Sequence, residues 1–305
     1  MGSGHYDIST AAFRAKTRDA VATTASVTTS VETGKREALL DRFNLAKKSF
    51  RECRNSKDSP NATPITIFID GTGSMGKAAH DVMNKMHQMF ENLIKEKAVA
   101  YPQLSLGVVG DATCDKVPLQ VSEFEIDNNI IDDNVDELYL EGMGGGTKQE
   151  SYELALYFLA NMVQADCFDN GGKGFAFIIG DEMPYETIKK DYLKRVCGVD
   201  VQEDIPLEAI MDDVNSKWDL YLLRPKINRY AEDREIISTW EKFIDPEKII
   251  LMQGLDDVVA AITNIICLRK GKTSNLKGSD TLSTSLSRIT ADESNDLVVT
   301  GLDSI

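Results

Sequence analysis

The 305-residue chain carries 49 acidic against 34 basic residues, a formal charge of −15, with 42% hydrophobic and 27% charged residues, the balance of a soluble globular protein that can bury one sizeable core. The acidic excess argues against nucleic acid as a partner, and no hydrophobic run approaches the ~20 residues of a membrane helix. The cysteines at 53, 114, 167, 197 and 267 form no Cys-x-x-Cys pair and no early apolar run resembles a signal peptide, so neither zinc nor a disulfide framework is indicated and a reducing cytoplasm is expected.

Residues 1–60 read as an N-terminal accessory segment. Ile8 to Thr33 is compatible with a docked arm and with a disordered one, while Leu39, Leu40, Phe43, Leu45, Ala46 and Phe50 form an apolar stripe that predicts a helix near 35–53. A Pro-containing loop then leads into Ile65-Thr66-Ile67-Phe68-Ile69, a short β-branched run with the signature of a buried strand. Ser74 is the expected N-cap of a helix running to about Lys97, with Met83, Met86, Met89, Phe90, Leu93 and Ile94 facing the core. His80 and His87 lie on that helix without a third His or a nearby Cys, so they read as surface or packing residues.

Leu104 to Val109 is the next strand, Val117 to Phe124 an antiparallel edge, and Asn128 to Leu140 an acidic amphipathic helix. Its Asp132, Asp133, Asp136 and Glu137 lack the spacing and central Gly of a calcium loop. A glycine-rich loop, Gly142 to Thr147, enters a helix predicted over Gln149 to Met162. Strands follow at Phe175 to Ile179, Trp218 to Leu223 and Lys248 to Met252, with helices at Tyr185 to Val196, Leu207 to Ser216, Glu232 to Glu241 and Leu255 to Ile266. This alternation predicts an α/β fold: a Rossmann-like, three-layer, doubly wound and mostly parallel six-stranded sheet with one antiparallel edge strand. The main domain is expected over 61–269. The Ser/Thr-rich stretch 270–305 is expected to be a disordered tail with a short binding motif at Leu297 to Leu302.

The chemistry concentrates where the first strand ends. Asp70, Thr72 and Ser74 alternate with Gly71 and Gly73, which places three hard oxygens at the carboxyl end of a central strand, the end where open α/β sheets bind ligands. Asp70-x-Thr72-Gly73-Ser74, the glycine-rich loop with Thr147, and Asp181 after an apolar strand together resemble the three loops of the metal-ion-dependent adhesion site (MIDAS) of von Willebrand factor type A (VWA) domains. Asn61 to Ile65, Gly110-Asp111-Ala112, Pro118-Leu119-Gln120, Glu150 to Leu156 and Gly180-Asp181-Glu182 also resemble stand-alone type A proteins of bacteria and their phages.

The resemblance implies a metal held by Asp70, Thr72, Ser74, Thr147 and Asp181. Mg2+ is the expected ion, with Mn2+ or Ca2+ as substitutes, and an open position would capture an Asp or Glu carboxylate from a protein partner. The middle loop has alternatives. Thr147 and Glu150 also fit a capping box, and counting back from Ala155-Leu156 lands nearer Glu150 or Ser151. A Glu150 ligand would bring the carboxylates to three and weaken the pull on an acidic partner. Asp111 is expected as an acidic wall beside the metal, and Glu182 as a capping or pairing residue with a supporting role. A homo-oligomer, with Asp303 or the carboxylate of Ile305 in a neighbour's metal site, and an AAA-type ATPase partner are further expectations.

The enzyme reading has less support. Gly71-x4-Gly76-Lys77 matches a phosphate-binding loop, but Ala78 replaces the magnesium-holding hydroxyl and Asp70 sets a carboxylate where phosphate needs amide donors. That match is taken as fortuitous. A metal-dependent hydrolase built on Asp70, Asp111, Asp181, Glu182 and Glu150 is the alternative to a non-enzymatic binding module.

Overall fold

The computed structural model describes residues 41–142 and 146–289. The expected arm through Thr33, Gly144 and Gly145 of the glycine-rich loop, and the motif at Leu297 to Leu302 lie outside the described residues. In chain order the first half contains β1 (Arg51–Cys53), β2 (Ala62–Asp70), α1 (Lys77–Asn84), α2 (Met86–Lys95), β3 (Tyr101–Val109), β4 (Leu119–Val121) and α3 (Asn128–Glu137). The second half contains β5 (Gln149–Glu150), α4 (Tyr152–Asn161), β6 (Val163–Ala165), β7 (Gly174–Ile179), β8 (Met183–Pro184), β9 (Thr187–Ile188) and β10 (Ile205–Pro206). It continues with α5 (Glu208–Lys217), β11 (Trp218–Pro225), α6 (Arg234–Trp240), β12 (Ile249–Met252), α7 (Asp257–Arg269) and α8 (Asp280–Leu286).

Six strands form the central sheet in the order β12-β11-β7-β2-β3-β4, all parallel except β4, which runs antiparallel to β3. Both faces are covered. Ile65, Ile67 and Ile69 of β2 pack with Met83, Phe90, Val258 and Ile262 on one side, while Phe68 packs with Leu154, Phe158 and Val214 on the other. The alternation of side chains along a strand sends these residues to opposite faces, and double coverage explains why β2 reads as a continuous apolar run. Helix α4 is buried on every side for the same reason: every residue from Tyr152 to Ala160 is buried, Glu153 included.

Register then places the polar ends together. Asp70 pairs with Val109 of β3, and Ile69 pairs with Ile179 of β7. Asp111 and Asp181, each two residues beyond those partners, therefore share the sheet edge at which β2 ends.

Several local expectations are corrected. The described part of the helix predicted over 35–53 is a run of turns through residue 47 followed by β1, which pairs in parallel with β6. Arg51 outweighs the helical stripe: its fully buried guanidinium donates to the carbonyls of Val121 and Lys48. The long helix after the first loop is interrupted at Lys85, and Tyr185 to Val196 becomes β9, a helical turn at Lys190–Tyr192 and a π-turn at Leu193–Cys197. Residues 270–289 of the expected disordered tail contain α8, whose Leu282 is fully buried against the core and whose Ser285 hydroxyl donates to Leu251 O at 3.0 Å.

Candidate metal centre

The first loop folds back as soon as β2 ends. Gly71 N–H donates to Val109 O at 2.8 Å, and a side chain at Gly71 would bring a Cβ within 2.6 Å of Val108 Cγ1. Asp70 is fully buried and receives three donors: Thr72 N at 2.9 Å and Thr72 Oγ1 at 2.5 Å on Oδ1, and Tyr152 OH at 2.5 Å on Oδ2. Ser74 Oγ lies 3.2 Å from Thr72 Oγ1 and donates to Asp181 Oδ1 at 2.9 Å. Ser74 is therefore not the N-cap of α1, a position held by Gly76 without a side-chain hydrogen bond. The hydroxyl bridges two loops instead of closing its own helix.

The third loop brings two acids. Asp181 is fully buried, and Asn228 Nδ2 donates both to its Oδ2 and to Ser74 O, the latter at 3.2 Å. Glu182 is buried and bonds Ser74 and Glu150. Asp70, Asp181 and Glu182 each present a carboxylate oxygen within 4.8 Å of the others. Glu182 thus joins the cluster directly, beyond the capping and supporting role expected of it.

The middle loop contributes Glu150. The short parallel ladder of β5 with β8 pairs Gln149 with Met183 and Glu150 with Pro184, which carries Glu150 alongside Glu182. The expected capping box does not form, because α4 begins at Tyr152 and Glu150 is in a strand. Thr147 is exposed and bonds Tyr185, whose hydroxyl also donates to Asp111. Ser151 is buried with its hydroxyl accepting from Ala112 N at 2.8 Å, so it holds the loop after β3. Asp111 stands beside the cluster, its carboxylate taken up by Thr113 N at 2.9 Å, Thr113 Oγ1 at 2.7 Å and Tyr185 OH at 3.3 Å.

The charge in this space is poorly solvated. Burial, and then the Asp181 carboxylate, push Asp70 up to about 7, against the donors that favour its ionised form. Burial, then Asp70 and the bond to Glu182, push Glu150 well above the usual carboxylate range, which favours a proton on the Glu150–Glu182 pair. Burial raises Glu182 as well. Among the described residues no Lys or Arg forms an ion pair with these four acids. The buried guanidinium of Arg224 instead donates to main-chain carbonyls, those of Asp181 at 3.3 Å, Ala231 and Tyr230.

A divalent cation fits this donor set. Thr72 and Ser74 give their hydroxyl protons to carboxylates, which leaves oxygen lone pairs as free ligands. Glu150 Oε2 is buried with no hydrogen-bond partner, the kind of orphaned oxygen that a hard cation satisfies. A phosphate meets a poor environment here, because the buried carboxylates of Asp70 and Asp181 stand at the loop and the amides of Gly71, Thr72 and Gly76 are engaged by Val109 O, Asp70 Oδ1 and Thr72 O.

Sequence reasoning missed Tyr152, Asn228 and Arg224. Tyr152 lies within a string already noted for its resemblance, but nothing in its spacing announces a contact with Asp70.

No protein-family model matches the chain, and no curated protein matches it. Among solved structures it is similar to the pilus adhesin SpaC of Lactobacillus rhamnosus GG in its open conformation, at 12% identity and a TM-score of 0.48 over 70% of this chain and 30% of that one. It is also similar to the vWF domain of the type V pili tip protein Mfa5 from Porphyromonas gingivalis, at 11% identity and a TM-score of 0.44 over 72% of this chain and 98% of that one. A third similarity is to proximal thread matrix protein 1 of the mussel byssus, at 8% identity and a TM-score of 0.43 over 70% of this chain and 48% of that one. The chain thus spans about three tenths of SpaC and half of the mussel protein. With TM-scores below 0.5, these likenesses carry no argument beyond the chain's own topology. That topology, a six-stranded mostly parallel sheet with one antiparallel edge and three polar loops at the carboxyl end of its central strands, is a VWA-like fold.

Proposed function

We propose that this chain is a non-enzymatic, divalent-metal-dependent protein-binding or assembly module. The observation that carries the reading is the convergence of Asp70, Asp181 and Glu182 within 4.8 Å beside the hydroxyls of Thr72 and Ser74. Asp70, Thr72, Ser74, Asp181, Glu182 and Glu150 would hold the ion, with Mg2+ or Mn2+ matching an all-oxygen set that includes neutral hydroxyls. The bound ion would supply a fixed positive charge to which a partner's Asp or Glu carboxylate attaches. A Glu150 ligand in the middle loop makes that charge conditional. While Glu150 keeps its proton the Glu150–Glu182 pair carries one negative charge, and on losing it the pair carries two and competes with the partner's acid.

A cytoplasmic, reducing setting goes with this reading and is supported by the five scattered cysteines, all of them free. An oligomer joined through Asp303 or Ile305, and an AAA-type ATPase partner, belong to the same proposal, the first involving residues outside those described. The test is calorimetric titration with Mg2+ and Mn2+, followed by pull-down in metal and in chelator, comparing wild type with Asp70→Ala. Saturable binding that Asp70→Ala removes, with a partner retained only in metal, supports the module. A wild type that binds neither ion, or one with metal-dependent turnover of phosphoesters or nucleotides, overturns it.

A further inference from the structure

Strand β4 closes one edge of the central sheet. In an antiparallel pair only alternate residues turn their N–H and C=O toward the neighbouring strand. Gly110 N donates to Pro118 O and Ser122 N to Leu106 O, so Gln120 faces β3 in the same phase, while Leu119 and Val121 turn their main-chain groups outward. Val109, opposite Leu119, agrees with this phase, because its carbonyl accepts from Gly71 instead. Val121 is covered by the chain itself: its N–H donates to Phe43 O at 3.1 Å and its carbonyl accepts from Arg51 Nη2 at 2.8 Å. Leu119 is not. Among the described residues its outward N–H and C=O have no partner.

Beside this unsealed half of the edge lies a groove of about 320 Å3. Val117, Pro118, Leu119 and Val196 give it an apolar wall, and Lys47, Lys116 and Arg195 also line it. Lys47 is taken by Asp41 at 2.5 Å, but Lys116 has no ion pair among the described residues. Glu141 Oε2 accepts from the amides of Lys116 and Val117 and so fixes the turn that carries the lysine. Arg195 donates through Nη2 to Ala112 O and lies over the Tyr192 ring at 5.2 Å, which fixes the guanidinium and leaves Nε and Nη1 without a protein partner among the described residues.

We propose that this edge is a docking site for an extended acidic segment of a protein partner, which exchanges main-chain hydrogen bonds with Leu119 and seats its carboxylates on Lys116 and Arg195. In strand addition the main-chain pairing supplies attachment, and what the alternate side chains meet supplies selectivity. Charge selects the acid. With 49 acidic against 34 basic residues the chain as a whole repels an acidic segment, so two unpaired cations beside an unpaired strand edge are a local exception. The inference does not rest on the metal reading of the site above.

The test is fluorescence anisotropy of the full chain with a fluorescein-labelled peptide alternating Val and Glu, in chelator, where the metal centre offers no ion. Saturable binding is expected, equal in wild type and Asp70→Ala and weakened as salt rises. Lys116→Glu and Arg195→Glu, both at exposed positions and checked for folding by thermal melts, are each expected to weaken it about 10-fold, as is N-methylation of the peptide's main chain. No binding in chelator, equal binding of a peptide alternating Val and Lys, or unchanged affinity in a folded charge variant overturns the proposal. Binding that needs Mg2+ and is lost in Asp70→Ala also overturns it, while supporting the metal centre. A doubled light-scattering mass that Lys116→Glu returns to the monomer, with no peptide bound, makes the occupant a second copy and overturns it as well.

Discussion

Burial and the closeness of Glu150 to Glu182 favour a proton on the pair, and this should make the metal-free protein sensitive to pH. Asp70 is raised from 3.8 to about 7 and Glu150 is raised well above 4.5, so between pH 4 and 7 the folded chain holds protons that the unfolded chain releases. The resulting stabilisation is complete below pH ~4, the unfolded value, and is lost as pH rises through the folded values. Without metal, the melting temperature is expected to fall between pH 5 and pH 8 by differential scanning calorimetry. Saturating Mg2+ should flatten that slope, since a cation takes the place of the protons. A metal-free melting temperature that climbs over the same window would contradict the assignment. Glu150→Gln keeps a donor to Glu182 but cannot ionise. It is expected to leave the metal-free fold intact and to weaken Mn2+ binding by about 10- to 100-fold in a calorimetric titration.

At the scale of elements, α8 belongs to the folded domain although its composition reads as tail. Its Leu282 is fully buried, and Ser279 caps the helix by accepting from Leu282 N at 3.1 Å while donating to Asp257 Oδ2 of α7 at 2.5 Å. Leu282→Ala is expected to cost about 2–5 kcal/mol in chemical denaturation, the range for a leucine removed from a packed core. A truncation before Lys277 should destabilise the domain for the same reason, whereas one after Ile289 keeps α8 and its contacts. The tail's part in oligomerisation is therefore tested with the second truncation, read by light-scattering mass. Composition misled here because the docking stripe is short, Leu282 with the partly buried Leu286 and Ile289 at helical spacing, and is diluted among Ser and Thr residues. The arm before β2 shows the converse: a real apolar stripe forms turns and a strand because Arg51 finds its carbonyl partners only in the folded chain.

For the molecule as a whole, the cluster joins loops that the chain supplies far apart, so an ion bound there would stabilise the folded state alone. At a free concentration of 100 times its Kd, such an ion adds about 2.7 kcal/mol. Chelation should lower the melting temperature of wild type and leave that of Asp70→Ala unchanged. Indifference of wild type to chelator would argue against the centre. The sequence by itself determined the sheet, its covered faces and the ends of the site around Asp70 and Asp181. These follow from local facts, a β-branched run that stops at a polar cluster and strands that alternate with helices. Only the tertiary structure decided that Glu150 lies beside Glu182, that Tyr152 holds Asp70 and that Asn228 holds Asp181. The capping box was a sound local alternative for Thr147 and Glu150, but the pairing of β5 with β8 outweighed it. Tyr152 and Asp70 stand 82 positions apart, and such a contact is set by sheet register and helix packing, which no short window of sequence contains.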